Sequence, residues 1–350
     1  MAQTANYSRY KLLFSILAVV VFIWGAVGAL DITNIPYTGY NQSPDNVVTL
    51  VREGSPAEKA GVKVGDTILK IDNIPVSDTA NLTDRPRPSV NSEGSLTIRR
   101  GTTEQVLTLK YAPFPMVDLI ANFGAGILTG LAFLILGLMI YLKHPTRLSS
   151  GFCILSLLFA ILMFNPPYLA SPILRRVSFA VLNLLAMLLL AVILDYCLHF
   201  PRTKQIVTAR PWLRQVIYLI AGASGVALST IILTTPPMSP RRGLLLSLGV
   251  GLVVGGYLLL AVISVIHSYL KASAEERAAL GLNQMLLGMV IGLGPVTLAV
   301  LLHALIPRLG ELPGERFYTI TMLAIPIGLA LALMKLEPAA AIKAEEARTI

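Results

Sequence analysis

The chain has 350 residues, 55% of them hydrophobic and only 13% charged. Soluble domains carry about a quarter of their residues as charged types. The deficit excludes an ordinary soluble protein and fits a chain that crosses a bilayer repeatedly, where a central charge costs at least about 2.5 kcal/mol. The net charge of +9 does not point to nucleic acid, because the basic residues sit in short loops between apolar runs and not on one soluble face. Cys153 and Cys197 lie in or beside apolar runs, which argues against a disulfide framework or a cysteine metal site.

Residues 1–33 comprise a polar tail and a first span. Leu12 to Leu30 is nineteen residues without a charge, enough to cross a hydrocarbon core of about 30 Å. A secretory signal has a shorter apolar region of about 7–15 residues, so an uncleaved anchor is expected.

Residues 34–113 form the expected soluble domain. Val47 to Val51 is a β-rich run, and Ser55-Pro56 then opens a short helix carrying Ala57 and Ala60. Gly61 closes that helix, as a left-handed C-terminal position favours. Gly65-Asp66 and Asp72-Asn73 read as turns around the apolar run Ile68, Leu69 and Ile71. Ser77 to Glu93 is polar and Pro-rich, a loop with a short helix. Ser95 to Ile98 and Val106 to Tyr111 alternate at period two, with Arg100-Gly101 between them as a hairpin turn.

The phrase Ser55-Pro56-Ala57, Ala60-Gly61, Gly65-Asp66, Ile68, Ile71 and Val76 resembles a bacterial PDZ domain. That resemblance implies a groove that takes an extended peptide as an added strand, with backbone N–H groups holding its terminal carboxylate. It implies a short Gly-containing turn before the first groove strand, and Tyr37-Thr38-Gly39-Tyr40 stands in that place. Eight residues, Asn41 to Val48, with Pro44 among them, separate the turn from Thr49. The peptide-binding residues are then expected to be Tyr37, Thr38, Gly39, Tyr40, Val48, Thr49, Leu50 and Val51. A domain kept for packing or dimer contact is the other reading.

Residues 114–338 hold seven further apolar runs, at Met116–Leu142, Ser150–Phe164, Val177–Phe200, Val216–Leu233, Leu244–Leu270, Leu280–Ile306 and Phe317–Leu336. The expected fold is a polytopic α-helical membrane protein of about eight transmembrane helices, with one small α+β PDZ-like domain inserted between helices 1 and 2. Residues 339–350 are a short tail. Thirteen basic residues in loops and ends fall on the N-terminal side of the spans, from Arg9 and Lys11 to Lys343 and Arg348. Six fall on the other side outside the domain: Arg175, Arg176, Arg241, Arg242, Arg308 and Arg316. The positive-inside rule then puts both termini in the cytoplasm and the domain outside the bacterial inner membrane.

This layout resembles the sensor region of bacterial histidine kinases of the competence-pheromone-receptor type. Leu198-His199-Phe200-Pro201 is similar to a phrase that closes a span there, and Ala274-Glu275-Glu276-Arg277 before Leu280-Gly281 is similar to a short charged loop. The kinase portion that follows in that family is not matched, since no His occurs beyond His303. Any output is then expected on a partner, a histidine kinase or another cytoplasmic signalling protein, or on a further part of a longer chain.

Other chemistry is weakly supported. The four histidines, His144, His199, His267 and His303, make no H-E-x-x-H zinc motif, so no metal or cofactor is expected. Gly222-Ala223-Ser224-Gly225 matches the G-x-S-G phrase of rhomboid-type serine proteases, with His267 or His303 as base. Small residues in membrane helices more commonly serve close packing, and the same holds for Gly251, Gly255 and Gly256. Asp195 and His199 share one helix face four residues apart, and Asn183 reads as a helix-to-helix hydrogen bond. The expected function is a non-enzymatic membrane sensor or scaffold that binds a peptide or protein C-terminus. A recruiter for membrane-protein quality control is the alternative, and a serine protease using Ser224 the remote one. The bilayer is a partner and nucleic acid is not.

Overall fold

A computed structural model of the chain describes residues 9–43, 45–164, 166–169, 171–235, 240–305 and 315–335. Helix α1 (Lys11–Asp31) buries Phe14, Ala18, Val21, Gly25 and Gly28 at alternating spacings of four and three, which places them on one stripe. Phe14 meets Tyr141 edge-on at 4.7 Å between ring centroids. The rest of α1, including Leu12, Ile16, Val20 and Leu30, is exposed apolar surface of the kind lipid covers.

The small domain follows. Its strands are β1 (Pro36–Tyr37), β2 (Tyr40–Gln42), β3 (Val48–Val51), β4 (Thr67–Ile71), β5 (Ile74–Pro75), β6 (Glu93–Arg100), β7 (Thr103–Lys110) and β8 (Ala112–Pro113), with helices α2 (Pro56–Lys59) and α3 (Thr79–Asp84). One antiparallel sheet has the order β5-β4-β6-β7, and two-stranded sheets join β1 to β8 and β2 to β3. The β6–β7 hairpin pairs Leu96 with Leu107 and Arg100 with Thr103, so the turn falls at Gly101-Thr102, one residue beyond the expected Arg100-Gly101. Ser55 caps α2 through its hydroxyl, which accepts from Glu58 N–H at 3.2 Å. Val48, Ala57, Val62, Ile68, Leu96, Ile98 and Leu109 form the core.

Asp66 fixes the turn after α2. Its side chain is 2% exposed and accepts from Arg100 Nε at 2.8 Å, Arg100 Nη2 at 2.7 Å and Lys63 N–H at 2.8 Å. Arg100 also donates to Gly61 O at 2.7 Å, tying the turn to the end of β6. The hydrogen bonds from Arg100 hold the Asp66 carboxyl below its ordinary value of 3.8. A depressed carboxyl contributes stability that is present above the unfolded value and lost as pH falls through the folded one. Amide protection of β4 and β6 in urea is therefore expected to fall on acidification below about pH 4. Asp66→Asn is expected to cost roughly 1.5–3 kcal/mol at neutral pH and to flatten that acid dependence. Equal protection in both proteins across the range would contradict this role.

The second apolar run is one continuous helix from Met116 to Lys143: a first turn α4 (Met116–Leu119), a π-helical turn at Ile120–Gly124 and then α5 (Ala125–Lys143). It is followed by α6 (Arg147–Met163), α7 (Pro172–His199), α8 (Gln205–Ala209), α9 (Trp212–Thr234), α10 (Pro240–Lys271), α11 (Ala274–Ala279) and α12 (Leu282–Leu305). The last is α13 (Ile320–Lys335). Six helices among the described residues are long and apolar enough to cross a membrane, and the runs expected at 150–164 and 317–336 form the shorter apolar helices α6 and α13.

Helix α7, roughly 40 Å long at 1.5 Å per residue, packs against α6, α9 and α10. Asn183 Nδ2 donates to Ser229 Oγ at 3.3 Å and Gly225 O at 3.5 Å, the helix-to-helix bond expected of a lone membrane amide. At the C-terminal end of α7, Asp195 and His199 do pair, at 3.3 Å, but they do not simply reach outward. Arg214 and Tyr218 of α9 bind the Asp195 carboxylate at 3.1 and 3.3 Å, and Arg147 of α6 meets His199 Nε2 at 2.7 Å. Three helix ends are thus clamped together. The N-terminal end of α7, with Arg175 and Arg176, meets the small domain.

Candidate functional site

The loop Tyr37–Tyr40 is built by backbone bonds to distant positions. Tyr37 pairs with Ala112 in the β1–β8 ladder, and its ring lies 5.0 Å from that of Phe114. Thr38 O accepts from Ala57 N–H and Gly39 O from Arg52 N–H, both at 2.9 Å. Gly39 has φ +79°, and a Cβ there would lie 2.2 Å from Ser55 Cβ. The chain then runs straight into β2, which pairs Tyr40 with Val51 and Asn41 with Leu50 before a bulge at Gln42.

The register decides which edge is open. Because Arg52 N–H donates to Gly39 O, Tyr40 and Val51 form a pair of the non-hydrogen-bonded type. The N–H and C=O of Tyr40 therefore point away from β3. On that side no strand stands beside β2 among the described residues. A cavity of about 420 Å³ adjoins β2 at Tyr40, lined by Thr38, Tyr40, Ile71, Arg85, Leu96 and Tyr111 among others. Burial, with Tyr111 nearby, pushes the Tyr40 hydroxyl up to about 12, so it stays a neutral donor at physiological pH. Arg85 is ion-paired with Asp72, whose other oxygen accepts from Ser95 N–H at 2.9 Å.

The expected peptide-binding residues divide into two groups. Thr38 and Tyr40 line the cavity and Gly39 shapes the loop. Tyr37 lies instead beside Arg52, Ser55 and Asp118 in a separate cavity of about 290 Å³. Val48 to Val51 is one strand further back. Val48 is 1% exposed in the core, its N–H donates to Asp66 O and its carbonyl accepts from Gly65 N–H. Thr49 Oγ1 donates to Asn41 O at 3.3 Å, and Leu50 is 42% exposed. The strand adjoining the loop is β2, so Asn41 and Gln42 belong to the edge.

The segment Arg85–Pro88 that follows α3 forms the far wall of the cavity, and the bundle holds it from behind. Tyr168, between α6 and α7, donates its hydroxyl to Pro88 O at 2.9 Å, and Arg87 lies 4.7 Å over its ring. Tyr168 N–H donates to Asp31 at the end of α1 at 2.5 Å. Arg175 donates to Arg85 O at 2.9 Å, and Arg176 is ion-paired with Asp84. On the opposite flank Arg52 forms a 2.5 Å ion pair with Asp118 of α4. Arg175 and Arg176 thus meet the rim of the small domain. The side chains of Arg241 and Arg242 and all of Arg308 lie outside the described residues.

Ser224 is half-buried in the middle of α9, while His267 is near the C-terminal end of α10, 3.3 Å from Lys204 Nζ. The side chain of His303 lies outside the described residues. Gly225, in the same phrase, would place a Cβ 2.7 Å from Leu184 Cδ1, so that glycine lets α9 approach α7.

Residues 47–100 match the PDZ domain family, so this segment is a PDZ domain. The match begins at Val47, after the loop and β2, and ends at Arg100 in β6. A search of curated proteins finds no match to the chain.

Proposed function

We propose that the protein is a non-enzymatic membrane receptor or scaffold whose PDZ domain takes an extended peptide or protein C-terminus along the open edge of β2. The observation that carries this reading is that edge, which leads out of the Tyr37–Tyr40 loop with the polar backbone of Tyr40 turned away from β3 and with Tyr40 lining the cavity. Backbone groups on an unpaired edge are a template for strand addition. Arg85, at the far wall and ion-paired with Asp72, would share its guanidinium with a terminal carboxylate.

The link from the domain to the bundle favours a receptor over a plain recruiter for a protease. Tyr168, Arg175 and Arg176 hold the Arg85–Pro88 wall from the first turn of α7 and the loop before it. A ligand that moves this wall would bias the packing of α7 against α6, α9 and α10. The likeness to histidine-kinase sensors, which rests on layout and two short phrases, fits an output carried by a cytoplasmic partner. The charge bias, with eight spans when α6 and α13 are counted, supports a domain outside a bacterial inner membrane with both termini inside.

The test is a displayed library of short random C-termini, panned on the full-length protein in nanodiscs. Selected peptides are expected to bind as free acids and to weaken about tenfold or more when amidated, the loss of a charge-assisted bond. N-methylation at alternate positions should abolish binding, because it removes strand-pairing donors. Binding indifferent to both changes would overturn the groove.

A further inference from the structure

A third cavity, of about 300 Å³, lies at the junction of the PDZ domain and the bundle and shares Tyr168 with the groove. Its upper part is cationic: Arg87 from the domain and Arg175 and Arg176 from the first turns of α7, against one carboxylate, Asp84. The nearby Asp31 is already engaged, by Tyr168 N–H and by the Asn34 amide at 2.5 Å each. Its lower part is apolar, with Phe179 and Leu182 one and two turns further along α7. Phe179 is 57% exposed, and Ile173, Leu174, Val177 and Val181 beside it are exposed too, so this wall opens onto the lipid-facing surface of α7. Although Arg176 and Asp84 pair, Arg176 Nε and Asp84 Oδ1 are buried with no hydrogen-bond partner among the described residues. A buried polar atom left unmatched is costly, so the site carries unused capacity for an acceptor and for a donor.

We propose that this cavity is a binding site for an anionic amphiphile, with a phosphate-bearing headgroup held by Arg87, Arg175 and Arg176 and a hydrocarbon chain lying along Phe179 and Leu182. Guanidinium forks match phosphate oxygens in geometry as well as charge. Basic pockets between membrane helices at the interface hold lipid headgroups by the same means. The volume stands at the small end of the about 300–1,000 Å³ of ligand pockets, which suits a headgroup and the first part of a chain whose remainder lies in the bilayer. A hydroxylated headgroup such as phosphoglycerol would also donate to Asp84 Oδ1. The site does not depend on what the groove binds.

Native mass spectrometry of the full-length protein in detergent, titrated with phosphatidylglycerol or phosphatidylcholine of equal chain length, tests the proposal. Phosphatidylglycerol is expected to bind about tenfold or more tightly, and Arg87→Gln and Arg176→Gln are each expected to reduce that preference about fivefold. Leu182→Trp, which fills the apolar part and leaves every charge in place, is expected to lower phosphatidylglycerol occupancy. Glycerol 3-phosphate and inorganic phosphate form the other arm. Displacement of the lipid by either at equal concentration, with Leu182→Trp silent, would mean a free phosphate ester site and overturn the amphiphile. Equal binding of the two lipids, or an unchanged preference in both Arg variants, would overturn the site.

Discussion

Gly39→Val is expected to abolish peptide binding and to destabilise the PDZ domain by about 3 kcal/mol or more. Two costs add at this position. The backbone is at φ +79°, where a β-branched residue is strongly disfavoured, and the new Cβ would stand 2.2 Å from Ser55 Cβ. Ser55 cannot step aside cheaply, because it is buried and its hydroxyl caps α2. The same displacement would strain the bonds from Ala57 and Arg52 that set the loop and the direction of β2. Gly54→Val separates the two costs: φ is +70° there, but nothing lies within 4 Å of its Cβ position. It should carry only the backbone cost, about 1–3 kcal/mol. Pulse proteolysis of the full-length protein in urea, read at cleavage sites in β6 and β7, checks both. Equal stability of the two variants would mean that the approach to Ser55 carries no weight.

Gly288→Ile is expected to unseat α13 from the bundle. A Cβ on Gly288 would lie 2.5 Å from Ala324 O and 3.0 Å from Gly328 Cα, and one on Gly328 would lie 2.6 Å from Gln284 O. These are backbone atoms, so no rotamer change relieves the overlap and the helices must part. Gly292 continues the same face one turn on, where its Cβ would meet Ile325 at 2.4 Å, which is how small residues four apart let membrane helices touch. Separation would uncover Leu329, Ala332 and Leu333, all in the main core. A loss of about 3 kcal/mol or more is expected, read as a lower midpoint in unfolding by dodecyl sulfate. Gly294→Ala on the same helix has open space at its Cβ and should leave the midpoint unchanged or raise it. A Gly288→Ile midpoint equal to that of Gly294→Ala would contradict the contact.

The parts of the domain that follow from local chemistry were legible in the chain. Ser55-Pro56 and Gly61 bound α2, and the alternation around Gly101 sets the β6–β7 register. The strand beside the loop is hidden in the sequence for a physical reason. Val48 to Val51 carries the apolar pattern because Val48 and Val51 pack into the core, whereas Tyr40-Asn41-Gln42 is three residues long and two of the three are polar because it is an edge. Its place is set by bonds from Arg52 and Ala57, which no local pattern announces. Tyr168 was missed for a related reason: it reaches Pro88 across eighty positions of sequence from a proline-rich turn that reads only as the end of a span. In the bundle, the spacing of Asp195 and His199 was visible, but not that Arg147, Arg214 and Tyr218 would close around them. The apolar run at Met116–Leu142 gave no sign of its π turn.

The most direct measurement of the receptor reading is hydrogen exchange of the full-length protein in nanodiscs, with and without a selected free-acid peptide. Two stretches should respond together. The amides of Tyr40 and Gln42 should become protected by the added strand, and those of Tyr168, Arg175 and Arg176 should change because these residues hold the far wall of the same cavity and the adjoining Asp84. Protection confined to β2 would leave a binding domain with no line to the bundle. A bound peptide that protects neither Tyr40 nor Gln42 would contradict strand addition itself.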